Sequence, residues 1–352
     1  MIKGCGDLSN QSYYVSGNTS KGLLNYLPTN IKNINRIIVL KHSSEMVKTR
    51  LIKRAINHYD TTDDIEILKS PLGKNYLDGI IIRAKSVAII TDRIPLKPLS
   101  NSMELDLNPI IGRVQETDDY LKNKNKFDSF VTKAHQNFAT GLQVHDDLEA
   151  IYIKEMNFKR ADEMADNLIQ EVLQNKQIKN EQAHVYHRFF GTNTADGVVN
   201  EVPDLIENIK HVYYIKGRAG TGKSTFMKKI VKACVAYGFD MELYHCSFDP
   251  NSLDMVLVRE LDFCIFDSTD PHEFFPTRDG ETIIDLYKET VTPGTDERFA
   301  NQINSINSHY KSYMKKGIQD LSEAVKYLEK NEKAFSCNDK DIEMAYALLM
   351  KI

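Results

Sequence analysis

Hydrophobic residues in this chain occur in short runs that alternate with stretches of helical periodicity. Residues 212–215 form one such run, VYYI, whose β-branched and aromatic side chains are typical of a strand. Further along, apolar residues recur at helical spacing while lysines occupy the opposite face, which predicts a helix of roughly four turns. These apolar positions are Phe226, Met227, Ile230, Val231 and Cys234.

The same alternation extends through both halves of the chain and predicts an α/β fold with a mainly parallel sheet flanked by helices. The predicted strands that follow each first helix are residues 65–68, 79–82 and 87–90, and then 241–246, 255–258 and 263–266. Two long polar segments with intermittent apolar positions, about residues 118–176 and 296–330, predict a helical hairpin extension packed on each sheet. An arm that binds nucleic acid or a partner protein is the alternative for these segments.

The segment between the strand and the helix of the second half contains a complete P-loop, GRAGTGKST. Its glycines allow backbone N–H groups to surround a chain of phosphates, and the start of the helix directs its positive end at the same anions. Lys223 would contact the β and γ phosphates, and the Ser224 hydroxyl would bind Mg²⁺. The predicted nucleotide-binding residues are Gly217, Arg218, Ala219, Gly220, Thr221, Gly222, Lys223, Ser224 and Thr225.

The two halves of the chain match each other at an offset of 175 to 176 residues, which indicates an internal duplication. Residues 37–41 correspond to 212–216, and YLDGIII at 76–82 corresponds to SLDMVLV at 252–258. We therefore predict two duplicated P-loop NTPase-like domains, residues 1–176 and residues 177–352. Their common boundary lies at the midpoint of the chain.

The first half has lost its phosphate loop. It has HSSEMVKTR in place of GRAGTGKST, so Lys48 and Thr49 remain but all three glycines are absent. Glu45 and Val47 replace Gly220 and Gly222, and a carboxylate and a β-branched side chain both oppose phosphate binding. We predict a degenerate copy without a nucleotide, although weak binding through Lys48 and Thr49 is the alternative.

Two aspartates are candidates for catalysis beside the P-loop. Asp267 ends the apolar run at 263–266 in a Walker B pattern, where it would hold Mg²⁺ together with Ser224. Asp249 follows the strand at 241–246 and either orients an attacking hydroxyl or water, or caps a turn. Lys223, Asp267 and Asp249 are thus the predicted catalytic residues.

Several other polar residues near these strands have competing interpretations. His245 is expected to be a hydrogen-bonded residue at a strand end more than a base. Arg278 and Arg298 lie in a loop-rich region and could act as sensor or finger residues, but arginine is also ordinary on a solvated loop. The five cysteines are widely spread and odd in number, which indicates reduced thiols without a metal or disulfide framework.

Composition narrows the class of protein. The chain has 41% hydrophobic residues, 27% charged residues and a formal charge of -4, so no general attraction to nucleic acid or anionic membrane is expected. Its apolar runs are too short to cross a bilayer and its first residues lack the apolar core of a signal peptide. We expect a cytoplasmic protein; the sequence does not indicate its oligomeric state.

The chain resembles a bacterial family of tandem-repeat P-loop proteins that are described only as ATPases or nucleotide kinases. The resemblance covers nearly the whole chain, and it is carried by RFFG at 188–191, IKGRAGTGKST at 215–225, YHCSFDPNSLDMV at 244–256, FDST at 266–269 and PGTDE at 293–297. Members of the family often have an intact P-loop in both halves, whereas this chain has one.

Three functions agree with these observations. The first is Mg²⁺-dependent binding and hydrolysis of a nucleoside triphosphate, ATP or another, by the second half, with the first half inactive and structural or regulatory. The second is a kinase that acts on a nucleotide or another small-molecule acceptor. The third is a binding module that senses nucleotides with negligible turnover. The sequence shows no motif that reads adenine or guanine, and the fold class does not identify an acceptor.

Overall fold

The structure, a computed structural model, describes residues 10–94, 99 and 101–352. Cys5 and the start of the chain, both used in the sequence predictions, lie outside the described residues. The strands are β1 (Gln11–Tyr13), β2 (Ser16–Thr19), β3 (Gly22–Asn25), β4 (Arg36–Lys41), β5 (Glu66–Lys69), β6 (Leu77–Ile82), β7 (Val87–Thr91), β8 (Ser102–Asp106), β9 (Val185–Arg188), β10 (Gly191–Thr194), β11 (Gly197–Asn200), β12 (His211–Lys216), β13 (Met241–His245), β14 (Leu253–Val258), β15 (Phe263–Asp267) and β16 (Glu281–Asp285).

The helices include two much longer than the rest, α4 and α10. In chain order the helices are α1 (Leu27–Asn30), α2 (Glu45–Tyr59), α3 (Asn108–Ile111), α4 (Asp118–Glu155), α5 (Phe158–Leu173), α6 (Val202–Ile206), α7 (Lys223–Tyr237), α8 (Leu286–Thr290), α9 (Thr295–Arg298), α10 (Ala300–Lys333) and α11 (Asp339–Leu349). The expected helix of roughly four turns after the P-loop is α7.

Two six-stranded sheets have the same order of strands. The first is β1-β5-β6-β7-β4-β8, and the second, read from its other edge, is β9-β13-β14-β15-β12-β16. Three neighbouring pairs in the second sheet are parallel, whereas β14 runs antiparallel to both of its neighbours. Residues 259–262, which connect β14 to β15, are too few for the crossover that a parallel pair needs. The molecule is therefore α/β, with mixed, mostly parallel sheets flanked by helices.

A third sheet joins the two halves, and no strands were predicted for it. Its order is β11-β10-β2-β3, so a hairpin from each half contributes two strands. At the junction, Asn18 Nδ2 donates to the Asn193 carbonyl at 2.9 Å and Asn193 Nδ2 donates to the Asn18 carbonyl at 3.2 Å. These reciprocal bonds satisfy buried amides on both sides of the junction.

The two six-stranded sheets share one hydrophobic core. Buried residues from β4, β6 and β7 belong to the same cluster as buried residues from β12, β14 and β15. The opposite face of each sheet is covered by helices, with α2 on the first sheet and α7 on the second. The predicted domain boundary at residue 176 thus follows the sequence repeat, but residues on both sides of this boundary pack in the same hydrophobic core.

The long helices do not form the predicted helical hairpin within each half, because they pair with each other across the halves. Helix α4 of the first half packs along α10 of the second half, where Phe138 lies so close to Gly317 that a Cβ there would be 2.3 Å from the ring. The last helix of each half packs on a helix of the other half, an arrangement that we call the exchange of α5 and α11. Helix α5 of the first half packs on α7, which covers the second sheet, and α11 of the second half packs on α2, which covers the first sheet. The sequence showed helical periodicity but not which sheet would supply the apolar surface for each helix.

A buried network of ion pairs lies between the two halves. It consists of Arg83, Glu66, Arg188, Glu242 and Arg259, which we call the interface ion network. Arg188 is 2% exposed, its Nη2 donates to Glu66 Oε2 at 3.1 Å, and its Nη1 lies 2.8 Å from Glu242 Oε2. Arg83 pairs with Glu66, and Arg259 Nε donates to Glu242 Oε1 at 2.6 Å.

The interface ion network predicts that stability falls in acid. Burial alone would raise the pKa of Glu242, but Arg188 and Arg259 lower it to about 2, and the pKa of Glu66 is also lowered. A carboxylate with a depressed pKa in the folded state stabilises it above the unfolded value of about 4.3, and this stabilisation is lost as the pH falls toward 2. Urea unfolding at pH 7 and at successively lower pH measures the loss, to which Glu242 contributes roughly 3 kcal/mol.

The control for this pH dependence is Glu242→Gln, in which the titrating group is absent. The decline in unfolding free energy between about pH 4 and pH 2 should be shallower in this variant than in the original chain. An equal decline in both proteins would show that other carboxylates account for the effect.

The state of the cysteines and the character of the helices can be described for the residues that the structure covers. Cys234, Cys246, Cys264 and Cys337 are all free thiols. Among the described residues, no helix combines the length and the apolar character needed to cross a bilayer.

Candidate nucleotide site

The P-loop of the second half connects β12 to α7 at the carboxyl edge of the second sheet. Gly220 and Gly222 have φ values of +74° and +78°, which side-chain-bearing residues rarely adopt. A Cβ on Gly220 would also lie 2.6 Å from the Glu149 carbonyl oxygen of α4. Glycine is therefore required at position 220 both by its backbone conformation and by the close approach of a helix from the first half.

The side chains of the loop hold it in a closed turn. Thr221 is buried, and its hydroxyl donates to the Arg218 carbonyl at 2.8 Å and accepts from the Arg218 N–H at 3.2 Å. Lys223 Nζ donates to the same carbonyl at 2.9 Å and lies 3.5 Å from Asp267 Oδ2. The structure thus brings together the predicted lysine and the predicted Walker B aspartate.

Ser224 lies at the start of α7 and Asp267 at the end of β15. The Ser224 hydroxyl accepts from the N–H of Leu253 in β14 at 2.9 Å, and Asp267 Oδ1 accepts from the Thr269 hydroxyl at 2.6 Å. A serine oxygen has two lone pairs, so Ser224 keeps one for another ligand. Thr225, the last predicted loop residue, is exposed on α7.

Asp254 belongs to the same edge and was missed in the sequence. Met255 pairs with Phe266 across β14 and β15, so the residues that follow this pair toward the edge, Asp254 and Asp267, face each other. Burial, and then the negative charge of Asp267, raise the pKa of Asp254 to about 8. In the sequence, Asp254 is distinguished only as the single acid at the start of an otherwise apolar strand. Asp78 occupies the corresponding position in the first half.

Asp249 lies in the turn between β13 and β14. Its Oδ1 accepts from the Asn251 N–H at 3.1 Å and its Oδ2 accepts from the Ser252 hydroxyl at 2.9 Å, as in an Asx turn. Its charge also contributes to the raised pKa of Asp254. Asp249 therefore stabilises a turn at the site and adds negative charge beside it.

Helix α4 supplies first-half residues to this site, which the motifs did not indicate. Burial, and then the positive charge of Lys223, lower the pKa of His145 to about 4. Burial, with the charges of Asp146 and Asp249, raises the pKa of Glu149. The close approach of the Glu149 carbonyl to Gly220 places this part of α4 directly against the loop.

The predicted arginines differ in their surroundings. Arg218 in the loop pairs with Asp296 at 3.0 Å and lies over the Tyr287 ring. Arg278 donates to Glu281 and to the Ile206 carbonyl, and Arg298 donates to Glu155. Arg278 and Arg298 thus hold loops and helices in place in the described structure.

His245, at the end of β13, and Ala219, within the loop, have partners other than Lys223 and Asp267. His245 Nε2 is 2.8 Å from His187 Nδ1, and its Nδ1 is 3.0 Å from the Pro250 carbonyl. Burial lowers its pKa to about 4, so it is a neutral, hydrogen-bonded residue at a strand end. Ala219 packs against the buried end of α4.

The altered loop of the first half is closed by carboxylates. Lys48 is 1% exposed, and its Nζ pairs with Glu45 Oε1 at 2.9 Å and with Asp92. Glu332 of α10 accepts from the Glu45 N–H at 2.7 Å, from the Met46 N–H at 3.4 Å and from the Ser44 hydroxyl. A side-chain carboxylate thus occupies the start of α2, where a P-loop would bind phosphate.

Comparison with protein-family models, with curated proteins and with solved structures finds no match to this chain. The resemblance to tandem-repeat P-loop proteins therefore stays a prediction from the sequence.

Proposed function

We propose that the second half binds a nucleoside triphosphate, ATP or another, and hydrolyses it with Mg²⁺. The observation that carries the proposal is the convergence of Lys223, Ser224 and Asp267 at the carboxyl edge of the second sheet. Open α/β sheets bind ligands at this edge. The matching strand orders of the two sheets support the finer proposal of two duplicated P-loop NTPase-like domains.

Phosphate binding follows from the loop and the helix behind it. The ammonium of Lys223 donates to the Arg218 carbonyl, a bond that it can exchange for phosphate oxygens. Thr221 keeps the loop closed during this exchange because its hydroxyl bonds both backbone groups of Arg218. The positive end of α7 adds to the attraction for the anion.

The residues at the site fit a magnesium ion. Mg²⁺ in nucleotide sites takes one or two carboxylates, a hydroxyl, phosphate oxygens and water, and Asp267 and Ser224 supply the protein part of that set. Asp254 faces Asp267 and is the next acid at this edge. Among the described residues there is no group of three or more His, Cys, Asp or Glu side chains arranged to hold a metal alone. When bound, the ion would neutralise charge on the β and γ phosphates.

Hydrolysis, transfer to an acceptor and binding without turnover are distinguished by one assay. Release of nucleoside diphosphate is measured with Mg²⁺, first alone and then with a panel of nucleotides and metabolites as acceptors. Slow release without an acceptor supports the proposed NTPase. Release that requires an acceptor identifies a kinase, and tight binding without release identifies a sensor.

A cytoplasmic location is part of the proposal and rests on the sequence.

Asp267→Asn should weaken the dependence of binding and turnover on Mg²⁺. The amide keeps the shape of the side chain but removes the charge that organises the water shell of the ion. Mg²⁺ titration of turnover in the variant and in the original chain measures this change. An unchanged titration would assign the metal to another acid, and Asp254→Asn is then the variant to compare.

We expect one nucleotide to bind per chain. Glu332 fills the anion position of the first half and Lys48 is neutralised by two carboxylates, so neither loop N–H groups nor a free ammonium remain there. Calorimetric titration with a non-hydrolysable triphosphate and Mg²⁺ should give one site. Lys48→Met should leave its affinity nearly unchanged, whereas two sites of similar affinity would contradict a degenerate first loop.

A further inference from the structure

A cavity of about 220 Å³ lies beside the altered loop of the first half. Ser43, Ser44 and Glu45 of the loop form one wall, and residues of α4 and α10, together with Leu72, Arg93 and Val114, form the others. In the sequence repeat these loop residues correspond to Arg218, Ala219 and Gly220 of the P-loop. The proposed hydrolysis in the second half makes no use of this cavity.

The apolar part of the cavity wall suits a flat ring. Leu72, Val114 and Leu328 contribute aliphatic groups, and Tyr120 and Phe127 contribute aromatic rings. Aromatic side chains stack on heteroaromatic rings, and apolar walls with a few polar groups are typical of small-molecule sites.

The polar part of the wall offers hydrogen bonds to an uncharged ligand. Asn123 Nδ2 donates to Asn331 Oδ1 at 2.9 Å, and each amide keeps further hydrogen-bonding capacity. Arg93 pairs with Asp78 and donates to Ser70 Oγ at 3.1 Å, but its Nε is buried without a partner among the described residues. A ligand with an acceptor atom would satisfy this buried donor.

The charges at the cavity oppose phosphate groups. The Glu332 carboxylate already accepts the N–H groups at the start of α2, and Glu45 and Asp128 also line the cavity. These three carboxylates outnumber the two cations of the lining, Lys124 and Arg93, and Arg93 is paired with Asp78. Lys48 cannot offset these charges, because it is paired with Glu45 and Asp92. A triphosphate would therefore meet carboxylates where a P-loop would offer N–H groups.

We propose that this cavity binds an uncharged heteroaromatic ligand, a nucleobase or a nucleoside without phosphates. The first half then has a ligand site of its own, which binds the ring by aromatic stacking and by hydrogen bonds to side-chain amides. This site is independent of the proposed hydrolysis, since none of the cavity residues belongs to the P-loop of the second half.

The test uses the full chain with Lys223→Ala, so that binding at the P-loop is suppressed. Adenosine, guanosine, cytidine and uridine are titrated by calorimetry, each beside its triphosphate. At least one nucleoside should give a single saturable site, and its triphosphate should bind at least about tenfold more weakly. Absence of binding by all four nucleosides, or equal affinity for the triphosphate, overturns the proposal.

Val114→Trp, combined with Lys223→Ala, fills the cavity and should weaken nucleoside binding at least about tenfold. Val198→Trp is the matched control, because Val198 is an exposed residue on β11 away from the cavity lining. If Val114→Trp does not fold, nucleoside binding is measured with Asn123→Leu instead. This variant should weaken nucleoside binding by the same factor. Nucleoside affinity that is unchanged in the folded cavity variant overturns the proposal, whatever the triphosphatase assay of the original chain shows.

Discussion

Replacing Lys223 with alanine should lower nucleotide turnover by at least about a hundredfold while the protein stays folded. The lysine supplies the positive charge opposite the β and γ phosphates, and it contributes no apolar surface to the clusters that form the core. Steady-state release of nucleoside diphosphate measures turnover, and thermal unfolding checks the fold.

Lys232→Ala is the matched control for this prediction. Lys232 lies on the same helix, α7, but is exposed and is in the second half of the helix, away from the loop at its start. Its removal should leave both turnover and stability close to the original values. Undiminished turnover in Lys223→Ala would exclude the P-loop as the catalytic site.

Replacing Arg188 with methionine should lower the free energy of unfolding by about 3–5 kcal/mol. The substitution leaves Glu66 and Glu242 buried without the charge between them, although each keeps one arginine at the edge of the interface ion network. It also removes the guanidinium that lies 3.8 Å above the Tyr13 ring. Urea unfolding at pH 7 measures the loss.

Arg54→Met is the control for a surface ion pair. Arg54 pairs with Glu343 at 2.9 Å, but both side chains are about half exposed, so removal should cost less than about 1 kcal/mol. Similar losses in the two variants would show that burial of the interface ion network does not increase its contribution to stability.

The parts of the site that could be predicted are those that local sequence determines. The phosphate loop requires glycines at fixed spacing between a strand and a helix, and the structure has β12, a loop with two left-handed glycines, and α7 in that order. Asp267 was placed correctly at the end of β15 because an apolar run that ends in an acid marks a strand edge.

The parts that could not be predicted depend on contacts between distant segments. The carbonyl of Glu149 reaches Gly220 only because α4 crosses from the first half, and Glu332 reaches Ser44 only because α10 crosses in return. Periodicity predicts that a helix has an apolar face but not which surface covers it. Asp254 was missed because one acid in a strand has no motif around it.

The exchange of α5 and α11 has a consequence for the origin of the chain. Each sheet is covered on its outer face by a helix of its own half, α2 or α7, and a helix of the other half packs on that helix, while the inner faces of the two sheets cover each other. A single ancestral copy with this arrangement would have been incomplete as a monomer, because its outer helix would lack the helix that packs on it and its sheet would lack a facing sheet. Two identical copies that traded their last helices would complete each other as a twofold-symmetric homodimer. The present chain has the architecture of such a dimer joined into one polypeptide, with the glycine loop GRAGTGKST in one half and HSSEMVKTR at the same place in the other.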